Sequence, residues 1–122
     1  MECYSIFCFK IYLNKNLNNI LMVKHIVCLK LKDFAEGKSR LENAVIFTER
    51  LTALKEKISG IKKFEVGINA PIASKQNFDV ALVTEFENFE DLKTYQNHPE
   101  HLKIADFVRN VSEIRAAVDF EF

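Results

Sequence analysis

From Val23 to Leu31 the side chains follow a two-residue period, with Val23, His25, Val27, Leu29 and Leu31 on one side of an extended chain and Lys24, Ile26, Cys28 and Lys30 on the other. That period dictates a strand with one core face and one mixed face. One strand cannot bury its own apolar side, so the rest of the chain must supply the layer that covers it. Polar Lys32 to Lys38 reads as a loop. From Ser39 to Ser59 the period changes: Leu41, Ala44, Val45, Phe47, Leu51, Leu54 and Ile58 recur at steps of three and four, which predicts one amphipathic helix stopped by Gly60.

Alternation then returns. Phe64, Val66 and Ile68 oppose Glu65, Gly67 and Asn69, and after a loop from Ile72 to Asn77 the residues Phe78, Val80, Leu82, Thr84 and Phe86 oppose Asp79, Ala81, Val83 and Glu85. Asn88 can cap a helix starting at Phe89, with Glu90 and Asp91 where the helix dipole favours them. Leu92 and Tyr95 face inward, and Pro99 opens a further short helix to near Asn110. Finally Ile114, Ala116, Val118, Phe120 and Phe122 alternate with Arg115, Ala117, Asp119 and Glu121. The order is β-α-β-β-α-β, the ferredoxin-like α+β arrangement of a four-stranded antiparallel sheet with helices on one face. The other face would carry Ile26, Cys28, Ala81, Val83 and Ala117, too apolar for water, which predicts a homodimer closed through the open sheet face.

With 122 residues, 48% of them hydrophobic and 28% charged, the chain is one globular domain. Lys+Arg and Asp+Glu number 17 each, so there is no electrostatic case for nucleic acid or an anionic membrane as a partner. Cys3, Cys8 and Cys28 are an odd set without a Cys-x-x-Cys pair, which argues for free thiols in a cytoplasmic protein. Residues 1–21 differ from the rest: Tyr4 to Leu13 is far short of the ~20 apolar residues of a membrane helix, and a polar Asn-rich stretch follows. Met22 is the expected natural start, with 1–21 an extension and 22–122 the domain. The alternative is an extra edge strand from Ser5 to Leu13.

Two of the three histidines fall within His98-Pro99-Glu100-His101, with Tyr95 three residues before. Proline pushes His98 out of the helical region and can itself begin a helix, so the segment is a kink between two short helices. His25 points with Val27 and Leu29 toward the helix layer, and Tyr95 lies one turn after Leu92, so His25, Tyr95 and His101 should meet in one interior space. There a neutral imidazole could take a proton α to a carbonyl while the phenol holds the developing oxyanion. The same residues also fit a purely architectural role in which His98 caps a helix and His101 bonds a backbone carbonyl. A metal site from His25, His98 and His101 has the count, but His98 and His101 flank a proline kink instead of sitting four apart on one regular helix, and only Glu100 and Asp106 are nearby carboxylates, which weakens it. Gly37, Gly60 and Gly67 lie too far apart for a phosphate loop. No cofactor or metal is expected.

Val23-Lys24-His25-Ile26-Val27, Thr84-Glu85-Phe86-Glu87, Tyr95-Gln96-Asn97-His98-Pro99-Glu100-His101 and Val118-Asp119-Phe120-Glu121, spaced along the chain from Met22, resemble the stress-responsive A/B-barrel (Dabb) family. The resemblance implies a ferredoxin-like unit whose sheets pair across a dimer into an α/β barrel. Most members have no assigned chemistry, while plant polyketide cyclases among them close an aromatic ring without a cofactor. The catalytic tyrosine and histidine of those cyclases correspond to Tyr95 and His101, and a pocket histidine on the first strand to His25. Val80 stands where they carry a further pocket histidine. Leu29, Leu82 and His98 complete the expected ligand-binding set. The expected function is a homodimer of unassigned biochemical role that binds a small hydrophobic ligand. The alternative is a cofactor-independent cyclase, lyase or isomerase acting on a small carbonyl or polyketide-like compound.

Overall fold

The computed structural model describes residues 21–122; the expectations for residues 1–20, including the edge strand, lie outside them. The elements run β1 (Val23–Leu31), β2 (Phe34–Ala35), β3 (Lys38–Ser39), α1 (Arg40–Lys55), β4 (Lys63–Ile68), β5 (Val80–Phe86), α2 (Phe89–Asn97), α3 (Pro99–Val111) and β6 (Ser112–Glu121). The main sheet is antiparallel in the order β4-β5-β1-β6. Its alternating strands and the intervening helices give the expected α+β, ferredoxin-like architecture.

Three boundaries depart from the sequence pattern for local reasons. The expected loop at Lys32–Lys38 contains a miniature hairpin, β2 against β3, turned by Glu36 and Gly37, whose φ of 55° and 73° give the left-handed pair that a two-residue hairpin needs. Helix α1 begins one residue after Ser39, which closes a reciprocal capping box with Glu42. It ends at Lys55, well before Gly60, which instead supplies positive φ in the following turn. Strand β5 starts at Val80; just before it the Asp79 N–H donates to the Leu29 carbonyl at 2.8 Å while its carboxylate accepts from the Leu31 N–H at 2.7 Å.

Pro99 breaks the second helical segment as expected. Asn88 caps α2 by accepting from the Asp91 N–H at 2.8 Å. His98 leaves helical backbone (ψ 135°), and its Nδ1 caps α3 by accepting from the Glu100 N–H at 3.1 Å. Beneath the helices, β1 and β5 bury every second residue. Leu29, Leu31, Phe86, Tyr95 and Val111 are fully buried, packed with Leu51 and Leu54 of α1.

Strand β6 corrects the sequence reading. His25 pairs with Asp119, Val27 with Ala117 and Leu29 with Arg115. Arg115, Ala117 and Asp119 therefore lie on the helix side, and Ile114, Ala116, Val118 and Phe120 lie on the open face with Ile26, Cys28, Ala81 and Val83. The expectation that placed Ala117 on the open face had the phase inverted. The physical reason is that β6 is an edge strand exposed on both sides, so its helix side is free to be charged. The open face is consequently richer in large apolar groups than expected, with Ile114 and Val118 each 51% exposed and Phe120 40%.

Phe86→Ala, which removes a fully buried ring, is expected to lower stability by about 3–5 kcal/mol, and Ser39→Ala, which breaks the capping box, by about 1 kcal/mol. Urea unfolding of both variants measures the two losses, and a cap worth more than the ring would contradict this placement of the core.

Candidate ligand cavity

A cavity of about 260 Å³ lies between the helix layer and the β1–β6 side of the sheet. Its wall is mainly apolar, with Leu29, Leu82, Leu51 and Ile104 among its residues, and two imidazoles enter it, His25 from β1 and His101 from α3. His25, Leu29, Leu82 and His101 are thus brought to one space. Their convergence follows from two periods acting together: every second residue of β1 points toward the helices, and the Pro99 break sets α3 at its own angle across them.

His98 does not line the cavity. Its Nδ1 is committed to the cap of α3, which keeps the ring at the junction between the helices. His98 is therefore withdrawn from the ligand-binding set, and the three imidazoles do not gather. Among the described residues no three His, Cys, Asp or Glu side chains cluster as a metal site. Tyr95 is also off the wall. It is fully buried behind it, its ring 4.6 Å from that of His101, 5.2 Å from Phe86 and 6.3 Å from His25. Its hydroxyl has no hydrogen-bond partner among the described residues, and burial pushes its pKa far above the ordinary phenol range, so it stays neutral.

The ring nitrogens can be assigned from their partners. His101 Nδ1 lies 3.0 Å from the Gln96 carbonyl, which can only accept, so Nδ1 carries the proton and Nε2 keeps its lone pair. Burial holds the His101 pKa below the ordinary imidazole value, aided by the nearby His25, Arg115 and His98 and opposed by the Gln96 carbonyl. His101 is thereby a neutral base at physiological pH. His25 Nδ1 donates to Asp119 Oδ1 at 2.5 Å across the β1–β6 ladder, and its Nε2 is likewise unbonded among the described residues. The cap by His98 and the bond of His101 to a backbone carbonyl are both features of the architectural alternative, so the same groups shape the fold and furnish the cavity.

Asp119, Gln96, Arg109 and Arg115 are missing from the sequence-derived set, although the last three line the cavity and Asp119 orients His25. The signal for Asp119 and Arg115 was their four-residue separation on one face of β6, which acquires meaning only with the register against β1.

Residues 23–122 match the model of the stress responsive A/B barrel domain. The chain belongs to that family. A dimeric protein of unknown function with a ferredoxin-like fold from Bacteroides fragilis is 40% identical, with 83% of this chain and 96% of that one aligned at a TM-score of 0.68. A dimeric ferredoxin-like protein of unknown function from Thermobifida fusca (22% identity, 84% and 92% coverage, TM-score 0.72) and the hydroxynitrile lyase of Passiflora edulis (17%, 83% and 93%, TM-score 0.67) share the fold of the family. Among curated protein sequences none matches.

Because the His101 pKa is lowered on folding, this residue stabilises the fold fully above about pH 6.5. As the pH falls from there toward the folded value, the unfolded chain takes the proton first and that stability is lost. His101→Gln is expected to flatten this part of the acid decline. Melting temperatures taken from about pH 7.5 to 5 test it, and an unchanged slope would show that His101 titrates alike in both states.

Proposed function

We propose that the protein is a homodimer closed over its open sheet face, and that each copy binds a small, largely apolar molecule in the cavity walled by His25, Leu29, Leu82 and His101. The observation that carries this reading is an apolar space entered by two imidazoles whose Nε2 atoms have no partner among the described residues. Binding sites for small molecules have this character, apolar walls with a few convergent polar groups. At about 260 Å³ the space suits molecules near the small end of the usual ~300–1,000 Å³ range. The dimer is supported by the half-exposed Ile114, Val118 and Phe120 beside Ile26 and Val83, and by the dimeric state of the Bacteroides fragilis relative. The free thiol of Cys28 and the absence, among the described residues, of any helix long and apolar enough to cross a membrane fit a cytoplasmic location.

A second reading is favoured by one specific observation, the His25–Asp119 pair facing the neutral His101 across the same space. It makes the protein a cofactor-independent cyclase, lyase or isomerase for a small carbonyl or polyketide-like compound. His101 Nε2 takes a proton from the carbon α to the carbonyl, and the electron pair of that C–H bond moves to leave an enolate oxygen. The Tyr95 hydroxyl, a neutral donor without a partner, meets that oxygen once the ligand opens the wall between them. The proton on His101 returns to carbon in the product. The Passiflora edulis neighbour, a hydroxynitrile lyase with the same fold, is in keeping with this reading.

Two measurements test these readings. Val118→Asp, a charge placed on the open face, should turn a dimer into a monomer in sedimentation at micromolar concentration, and a wild type that sediments as a monomer would remove the dimer. Acetophenone should shift the imidazole resonances of His25 and His101; no shift at saturation in the buffer would remove the cavity reading. In heavy water the bound ketone should exchange its α-protons, and His101→Gln should slow that exchange by about a hundredfold or more, whereas binding without exchange leaves only the first reading.

A further inference from the structure

The wall of the cavity is unbalanced in charge. Its polar side chains are His25, Gln96, His101, Arg109 and Arg115, and it includes no aspartate or glutamate. Asp119 lies behind His25 and is taken up by it. Arg109 is neutralised by Asp106, three residues earlier on α3. Arg115 forms no ion pair among the described residues. It projects from the edge strand on the helix side, opposite Leu29 in the ladder, so its guanidinium stands at the exposed rim of a space whose floor is apolar.

We propose that the molecule held in the cavity is an anion, a carboxylate on a small apolar body, with the body against Leu29, Leu51 and Ile104 and the carboxylate on the guanidinium of Arg115. This rests on the cavity reading above and adds to it the charge of the ligand. A guanidinium offers a planar fork of donors that matches a carboxylate two bonds at a time, and it does so here without first breaking an internal ion pair. The apolar floor beside it removes the carboxylate from part of its water, which strengthens the pairing. An anion at this point also faces both imidazoles across a wall that contains no competing carboxylate. The positive charge of Arg115, which helps to keep His101 neutral, is offset when such an anion binds.

The test is a matched pair of probes of the same shape, phenylacetate and phenylacetamide, titrated against the full chain while the imidazole resonances of His25 and His101 are followed. Phenylacetate is expected to bind at least about tenfold more tightly than the amide, the scale of one charge-assisted pair. Arg115→Gln should erase the difference by weakening phenylacetate far more than the amide, and Arg115→Lys, which keeps the charge and loses the fork, should recover part of it. Because Arg115 is exposed, these variants are expected to fold as the wild type does, and a thermal melt verifies that. Equal affinities for the two probes would overturn the anionic ligand, and a carboxylate preference that survives Arg115→Gln would overturn the placement of the carboxylate on Arg115; either result leaves the cavity reading standing. No response of either imidazole to either probe would remove the cavity reading and this proposal with it.

Discussion

The register of β6 against β1 is the constraint on which the site depends. Side chains of neighbouring strands share a face only in the correct register, and a slip of one residue exchanges the faces of the whole strand. Such a slip would carry Asp119 and Arg115 to the open side and bring Val118 and Phe120 under the helices. His25 would lose its carboxylate and the cavity its guanidinium. The observed register is pinned at both ends. Where β6 begins, the ladder shifts between Lys30 and Leu31, and the Lys32 N–H donates to the Val111 carbonyl at 2.9 Å. Where it finishes, Met22 and Phe122 exchange backbone bonds at 3.0 and 2.9 Å.

Much of this fold was legible in the sequence because burial contrasts sharply along the central strands. The two-residue period of β1 and β5, the three-to-four step of α1 and the proline between α2 and α3 each report directly which side of an element meets the core. The phase of β6 was illegible for the same physical reason. Both of its faces are exposed, so its apolar side marks the open sheet face and not the helix layer. The site was read in part. His25, Leu29, Leu82 and His101 follow from period and turn chemistry. Asp119 is 94 residues from His25 in the chain, and nothing local announces that the two meet. His98 was left open because a histidine beside a proline suits a pocket and a helix cap equally, and the Glu100 amide draws its ring to the cap.

The helix-facing core also has two characters. At the two ends of β1, around Val23 and Phe86 and around Leu31 and Val111, it is closed and apolar. Between these ends it admits imidazoles, leaves space unfilled and buries a tyrosine hydroxyl that no neighbour among the described residues satisfies. An unpaired buried hydroxyl costs about 1–3 kcal/mol, and unfilled volume sacrifices contacts that side chains would otherwise make. The closed ends therefore have to hold the structure that the open middle weakens.

The placement of β1 at the centre of the sheet, with β6 beside it, has a consequence for the time course of folding. The central strand emerges early in synthesis, yet one of its two neighbours consists of residues 112–121. Pairings between such distant parts of a chain close slowly, since loop entropy is lost before the contacts form. Until then one edge of β1 stays unpaired, and the apolar residues of the nascent sheet are open to other chains. The aspartate that orients His25 and the arginine at the cavity rim arrive with that last strand, so the ligand site is assembled in the same step that completes the sheet.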